Sequence, residues 1–119
     1  MDLAIDFHTD HKNWRSRLNS YGDEISFFFK ELNKVFDKNK QNLARMEFID
    51  EYEEILDKNS KKIEDLLFRI TLAEKSNSTK EIDKKLSKVH HQLHFDYLNF
   101  ERSFIEMKKR FKRFASHND

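Results

Sequence analysis

The segment Leu93–Phe114, LHFDYLNFERSFIEMKKRFKRF, decides the fold of this 119-residue chain. Its large apolar residues stand at alternating spacings of four and three: Leu93, Tyr97, Phe100, Phe104, Met107, Phe111 and Phe114. Residues at that spacing share one face of an α-helix, so the segment predicts a long helix with a single apolar seam. The seam continues backward through Ile82, Leu86 and Val89. Two successive four-residue steps after Val89 predict a stutter, which is a local irregularity of the heptad spacing.

Two earlier segments have seams of the same kind. The first contains, in order, Phe7, His11, Trp14, Leu18, Tyr21, Ile25, Phe28, Leu32 and Val35. The second contains Ile49, Tyr52, Leu56, Asn59, Ile63, Leu66, Ile70 and Ala73. Asn59 is the polar exception, and we interpret it as a buried amide that sets the register between helices. Polar residues at 37–40 and 76–79 separate the seams, and Ser78 followed by Glu81 fits a capping box that opens the third helix.

The composition agrees with a helical protein. The chain has no proline and one glycine, and 38% of its residues are charged. Its 12 phenylalanines supply a large apolar area, so a narrow seam can still hold a folded domain together. Because both connections are short, consecutive helices should be antiparallel. The sequence therefore predicts a single all-α domain over residues 1–119, an up-down-up three-helix bundle with coiled-coil-like packing and helices at roughly 7–37, 42–75 and 79–115.

The composition also argues against several classes of protein. Because the chain has no cysteine, it forms neither a disulfide nor a thiolate metal site. Its first residues lack the basic and apolar regions of a secretion signal, and no apolar run approaches the roughly 18 residues that span a bilayer. We therefore expect a cytoplasmic protein. The net charge of +1 gives no general preference for nucleic acid or for acidic partners.

Gly22 is the single glycine and falls in the middle of the first predicted helix. At such a position glycine costs about 1 kcal/mol relative to alanine. We expect a bulky side chain from a neighbouring helix to approach Gly22 closely and so to offset that cost.

The first helix also contains a distinctive run of residues, FHTDHKNWRSRLNSYGDEI, at positions 7–25. This run resembles the opening of a family of short, uncharacterised bacterial helical proteins with the pattern H-x-x-H-x-x-W-x-x-R-L-x-x-Y-x-D-E-I. The resemblance implies a helical architecture and no particular activity. It singles out a set of polar and aromatic positions: His8, His11, Trp14, Arg17, Tyr21, Asp23 and Glu24.

Four histidines are the strongest candidates for chemistry: His8, His11, His90 and His94. The first two share one face of the first helix, and the last two share one face of the third. In an up-down-up bundle these regions lie side by side, so the four imidazoles are a candidate site for zinc or another transition metal. Two features argue against it. The chain lacks the Glu-x-x-His pairs of di-iron bundles, and we expect Lys62 and Arg69 at that level of the second helix.

Five basic residues lie close together near the C-terminus: Lys108, Lys109, Arg110, Lys112 and Arg113. Phe111 and Phe114 alternate with them, so the segment is a candidate for contact with a nucleic acid or another anionic surface. The alternative is structural. Cations near the end of a helix complement its dipole, and both phenylalanines continue the core seam.

No pattern in the sequence indicates catalysis. Acidic pairs are frequent, but no serine stands with a histidine and an acid at a diagnostic spacing. We therefore expect a non-enzymatic structural or partner-binding protein without a cofactor. Phe27, Phe68 and Phe95 lie outside the three seams and are candidate contacts for a protein partner or for a second copy of the chain. Metal binding and nucleic-acid binding are the alternatives.

Overall fold

The structure of the chain, a computed structural model, describes residues 3–75 and 80–116, with side chains for 8–75, 85 and 87–116. It contains three helices: α1 spans Leu3–Lys38, α2 spans Leu43–Glu74 and α3 spans Lys80–Ser116. The predicted all-α three-helix bundle is confirmed. α1 begins at Leu3 rather than at residue 7.

α1 and α3 run parallel to each other, and α2 runs antiparallel to both. Side-chain contacts establish these directions: His11 with His90 and Phe28 with Phe111 between α1 and α3, and Arg69 with Asp96 and Tyr52 with Phe111 between α2 and α3. The bundle measures 62 × 18 × 18 Å. Its two ends are called the His11 end and the Phe114 end below.

The connection between α1 and α2 is a short turn whose backbone is well bonded. Asn39 N–H donates to the carbonyl of Phe36, and Asn42 N–H donates to the carbonyl of Asn39. Asn42 then caps α2, because its side-chain oxygen accepts from the Arg45 amide at 3.2 Å. At the start of α3, the predicted capping box of Ser78 and Glu81 lies outside the described side chains.

The three seams meet in one continuous core. Its buried apolar members are Trp14, Leu18, Ile25, Phe28, Leu32 and Val35 from α1; Ile49, Leu56, Ile63, Leu66 and Ile70 from α2; and Leu93, Tyr97, Phe100, Phe104, Met107, Phe111 and Phe114 from α3. The seven-residue set quoted first from the sequence is therefore buried in full. Its regular spacing keeps all seven side chains on the one face of α3 that meets the core.

The predicted stutter in α3 is wrong. Val89 is 45% exposed, whereas His90 beside it is only 7% exposed. The seam therefore steps from His90 to Leu93 to Tyr97, which is the regular three-and-four spacing. The reason is that His90 finds a polar partner on α1, so a histidine takes the core position that the sequence assigned to valine.

The interpretation of Asn59 as a buried amide is also wrong. Asn59 is half-buried at the edge of the core, and its side-chain Nδ2 donates to the carbonyl of Ile55 at 2.8 Å. The amide is thus bonded within α2, so it makes no described bond that would set the register against another helix.

Over the residues that the structure describes, none of the three helices combines the length and the apolar character needed to cross a bilayer. The helices are long, but charged side chains interrupt every stretch.

Gly22 does not accommodate a bulky neighbour. A Cβ built on Gly22 meets no atom within 4 Å beyond its own stretch of helix, and its φ angle is not positive. The expected close approach is therefore wrong, and the glycine is a weak point of α1 that no contact offsets.

We expect Gly22→Ala to stabilise the protein. The substitution removes backbone freedom from the unfolded chain without a clash, so the free energy of unfolding should rise by about 1 kcal/mol. Urea denaturation followed by circular dichroism measures this change. Gly22→Leu is the control that tests whether a larger side chain fits at this position, and it should not lower the free energy of unfolding. A loss of stability in Gly22→Ala would show that the surroundings of Gly22 are closed.

Candidate functional site

A hydrogen-bonded histidine pair lies between α1 and α3 at the His11 end. His11 and His90 are both buried, and His90 Nδ1 lies 3.3 Å from His11 Nε2. On its other side, His90 Nε2 lies 3.1 Å from Asp10 Oδ2. Because an ionised carboxylate only accepts, His90 Nε2 carries the proton of that bond. In neutral His90 the Nδ1 atom is then an acceptor, so His11 Nε2–H is the donor between the two rings.

α2 contributes a carboxylate to the same cluster. Glu74 Oε1 lies 3.7 Å from His11 Nδ1, and Glu74 Oε2 accepts from Arg15 at 3.0 Å. Arg15 also reaches Thr71 Oγ1 at 3.4 Å, so α1 and α2 are joined at this level. The sequence predicts Lys62 and Arg69 at this level of α2. That prediction is wrong, because the axial offset between α1 and α2 places Glu74 beside His11 instead.

Burial lowers the pKa of His11, and the neighbouring His90 lowers it further, while Glu74 opposes the shift. Burial also lowers the pKa of His90 and outweighs the opposing effect of Asp10. Both rings therefore lose protons more easily than a free imidazole. At neutral pH the pair is an uncharged, hydrogen-bonded contact between helices.

The indole of Trp14 lies beside this pair and packs on three rings of α3. Its centroid is 5.1 Å from that of His90, 5.2 Å from that of His94 and 5.4 Å from that of Tyr97, and all three rings are stacked on it. His94 is otherwise exposed to solvent. Trp14 thus fixes where α3 lies against α1 at the His11 end.

The structure brings together two of the four candidate metal ligands. His11 and His90 face each other, whereas His94 lies on Trp14 and His8 is exposed. Two histidine nitrogens on a tetrahedral zinc ion stand about 3.3 Å apart, so the pair has the spacing of two ligands. In the described part of the chain, however, no three His, Asp or Glu side chains are grouped closely enough to hold a metal ion. Metal binding stays a prediction.

A second polar cluster, centred on Glu101, joins α1 to α3 further along the bundle. Glu101 Oε2 accepts from Tyr21 at 2.7 Å, from Tyr97 at 2.8 Å and from Arg17 at 3.4 Å. Burial alone would raise the pKa of Glu101, but the hydrogen bonds from both tyrosines and the charge of Arg17 outweigh it and lower that pKa. Burial and the bond to Glu101 raise the pKa of Tyr97 to about 12. The cluster therefore keeps an ionised carboxylate and neutral phenols.

Most positions of the N-terminal pattern serve this contact between α1 and α3. His11, Trp14, Arg17 and Tyr21 make the contacts described above, and Glu24 accepts from Lys108 at 2.7 Å. His8 and Asp23 are exposed. The arrangement gives the pattern a structural explanation, because its residues recur on the face of α1 that meets α3.

The five basic residues of α3 do not form one surface. Lys108 Nζ donates a hydrogen bond to Glu24 Oε1, and Lys109 Nζ lies 3.8 Å from Glu106 Oε1. Arg110 lines the groove between α2 and α3, while Lys112 lines a pocket between α1 and α3. Phe111 and Phe114 are buried in the core. Nucleic-acid binding by these four residues together with Arg113 stays a prediction.

The three candidate partner contacts are strongly exposed. Phe27 is 57% exposed, Phe68 is 63% exposed and Phe95 is 61% exposed. They stand on α1, α2 and α3 respectively. Phe27 also lines a pocket of about 340 Å³ with Asp23 and Lys112. Their exposure agrees with the prediction that they lie outside the seams.

Sequence reasoning missed a groove between α2 and α3. It consists of two adjoining pockets that share Asn59 and Ser103. The pocket nearer the Phe114 end, about 540 Å³, includes Phe48 and Ile55 in its lining. The other pocket, about 440 Å³, includes Lys58, Lys62 and Asp96. The surface that carries these residues is called the α2–α3 groove below. The feature of the sequence that could have indicated this groove is a pair of small polar residues, Asn59 on α2 and Ser103 on α3, which face each other.

Comparison with protein-family models, with curated proteins and with solved structures found no match to this chain. The resemblance of residues 7–25 to a family of short bacterial helical proteins therefore stays a prediction.

We expect the buried histidine pair to make stability fall in mild acid. Since the folded-state pKa values of His11 and His90 lie below the ordinary 6.5, the unfolded chain takes up protons that the folded chain does not. The free energy of unfolding should be highest above pH 6.5 and should decrease from there towards pH 5. Thermal unfolding across this range measures the slope.

The non-titrating double variant His11→Gln with His90→Gln should flatten that slope, because its amides cannot gain a charge between pH 7 and pH 5. His8→Gln is the matched control, since His8 is exposed, and it should keep the wild-type slope. An unchanged slope in the double variant would mean that other groups cause the acid sensitivity.

We expect Glu101→Leu to destabilise the protein by about 2–3 kcal/mol, because it removes the acceptor of two half-buried hydroxyl groups. Tyr97→Phe removes only one donor and should cost about 1 kcal/mol. Urea denaturation measures both changes. Glu106→Leu, an exposed carboxylate on the same helix, is the control and should stay within about 0.5 kcal/mol of wild type. Equal stability of the Glu101 and Glu106 variants would contradict the importance of the cluster.

Proposed function

We propose that this chain is a non-enzymatic helical bundle that binds a protein partner through apolar side chains that its own core leaves exposed. One observation carries the proposal. Among the described residues, all three helices contribute buried side chains to one core, yet eleven large apolar side chains remain exposed. They include Phe27, Phe68 and Phe95, each more than half exposed.

Exposed aromatic side chains support binding because of what they bury on contact. A phenylalanine in an interface removes a large apolar area from water, and aromatic residues are enriched in the centres of protein interfaces. The surface around them is polar and almost neutral in total, with a formal net charge of +1. A balanced surface of this kind favours partners selected by shape and apolar contact rather than by strong electrostatic attraction.

The polar clusters support the same proposal in a scaffolding role. The polar atoms of Glu101, Tyr21 and Tyr97 are bonded to one another, and His90 is bonded to both Asp10 and His11. These groups hold α1 on α3. A rigid scaffold lowers the entropic cost of binding, because the contact surface is ordered before the partner arrives.

We expect loss of the exposed phenylalanines to abolish capture of a partner. Tagged wild-type protein and the triple variant Phe27→Gln, Phe68→Gln, Phe95→Gln are each used as bait in a lysate of the cells that naturally make the chain. Wild type should retain at least one discrete protein that the triple variant loses. Mass spectrometry of the retained fraction measures the difference.

The triple variant must remain folded for this comparison. Because the three side chains are exposed, its free energy of unfolding should stay close to that of wild type. Sedimentation velocity distinguishes a second copy of the chain from a different partner. If wild type is monomeric and retains no protein beyond the triple variant, the proposed function is wrong.

A further inference from the structure

α3 has a second regular row of side chains, on the side of the helix that faces away from the core. Its members are exposed and stand at alternating spacings of three and four: Phe95, Leu98, Arg102, Ile105, Lys109 and Lys112. Residues at that spacing share one helix face and pack on another helix in coiled coils. The row, called the α3 outer row below, therefore has the pattern of a helix contact and combines apolar residues with cations.

α2 has an outer row with the same spacing and the opposite charge. The α2 outer row consists of exposed side chains: Asp50, Glu54, Asp57, Lys61, Glu64 and Phe68. Leu72, which is also exposed, extends the row by one helical turn beyond Phe68. The α2 outer row therefore has one apolar end and carries four carboxylates along the rest of its length.

The formal net charge of +1 conceals two helix surfaces of opposite sign. Between residues 47 and 65 of α2, eight exposed side chains are acidic and three are lysines. Among the described side chains of α3, seven exposed residues are lysine or arginine, and Glu106 is the one exposed acid. Opposite charges on two faces of one molecule draw those faces of neighbouring copies together and set their alignment.

Ion pairs within each helix leave this difference in place. Among the described residues, three pairs involve members of the rows: Glu54 with Lys58 at 3.2 Å, Asp57 with Lys61 at 3.1 Å and Glu106 with Lys109 at 3.8 Å. Every side chain in these pairs is more than half exposed, and exposed pairs of this kind are weak. Because acids outnumber lysines on α2 and cations outnumber acids on α3, each row keeps an excess of its own sign.

The two rows match when they run antiparallel, because the steps of four and three coincide along both. Four juxtapositions are then complementary: Phe68 with Leu98, Glu64 with Arg102, Asp57 with Lys109 and Glu54 with Lys112. A fifth places the aliphatic part of Lys61 over Ile105, which leaves its ammonium group in water. A parallel pairing would instead place Phe68 against Lys112. The pattern therefore selects the antiparallel direction.

Such a contact places neighbouring bundles side by side. Within one chain α2 already runs antiparallel to α3, with Arg69 bonded to Asp96. The pairing of the outer rows differs from that level by about one residue, or about 1.5 Å along the axis. The next copy therefore lies level with the first and points in the same direction. Since each copy offers one row to either neighbour, the contact is heterologous and builds a ring or an open array.

We propose that this chain associates with further copies of itself, and that the α3 outer row of one copy packs antiparallel on the α2 outer row of the next. At the apolar end of the contact, Phe95 of one copy meets Leu72 of the next. The inference rests on the proposed function, because it identifies the partner as a second copy that is held in part by Phe68 and Phe95. A contact between two helices about 26 Å long is small beside the roughly 800 Å² per partner of a stable interface, so the association is reversible.

Sedimentation velocity of the purified full-length chain tests the proposal from micromolar to millimolar concentration. At low salt the average mass of wild type should rise with concentration and pass that of a dimer. Added salt should lower the average mass, because the charges of both rows are exposed to solvent and are screened.

Two double charge reversals and their combination make the test specific to the rows. Arg102→Glu with Lys109→Glu, and separately Asp57→Lys with Glu64→Lys, place like charges opposite each other. Each double variant should need at least about tenfold more protein to reach the same average mass. The quadruple variant restores opposite charges across the contact and keeps the net charge of +1, so it should associate as wild type does.

A pair of phenylalanine variants tests the apolar end of the contact. Phe68→Gln should weaken association at least about fivefold, because less apolar area leaves water on contact. Phe27→Gln is the matched control, since Phe27 is similarly exposed but lies on α1 outside both rows, and it should associate as wild type does. Circular dichroism establishes that every variant keeps its helices.

A wild-type chain that stays monomeric, an average mass that stops at a dimer, or a folded quadruple variant that does not regain association would overturn the proposal. Equal weakening by Phe27→Gln and Phe68→Gln would also overturn it. The lysate experiment separates these failures from failure of the proposed function. A monomeric wild type that still retains a discrete protein leaves the proposed function standing and rejects self-association alone.

Discussion

The stacking of Trp14 on α3 is the contact on which the His11 end of the bundle depends. α1 and α3 are separated in sequence by the whole of α2, so side-chain contacts alone hold them side by side. The indole lies against three rings, and two of them also belong to the polar clusters: His90 bonds to His11, and Tyr97 bonds to Glu101. One apolar surface therefore orients the donors and acceptors of both clusters, which need fixed geometry to be favourable.

The helices themselves were largely predictable, because apolar spacing reports directly which face of a helix is buried. The α3 seam from Leu93 to Phe114 is buried as the sequence indicates. The predictions failed where a polar residue competes with an apolar neighbour for one core position. Nothing in the sequence near Val89 shows that His90 has a partner on another helix. Similarly, the side-chain amide of Asn59 donates within its own helix. Whether it does so or reaches a partner on α3 depends on the distance between the two helices, which the sequence does not give.

The candidate site was predictable only in part, because its composition depends on the axial offset between helices. A helix can shift along its neighbours by about one turn, about 5.4 Å, and still present the same apolar face to them. That offset places Glu74 rather than Lys62 beside His11, and it places His94 on Trp14. The α2–α3 groove was missed for a related reason, since a groove is defined by two facing helices and not by the residues of either one.

The parallel arrangement of α1 and α3 has a mechanical consequence. The described start of α1 and the described end of α3 lie at opposite ends of a bundle 62 Å long. A pulling force applied between these two points loads the contacts between α1 and α3 in shear, along the helix axes. The side-chain contacts between α1 and α3 then bear the force together instead of breaking one after another. They are the contacts made by His11, Trp14, Tyr21 and Glu24. Under tension the bundle would resist stretching through the same side chains that hold its two parallel helices in register.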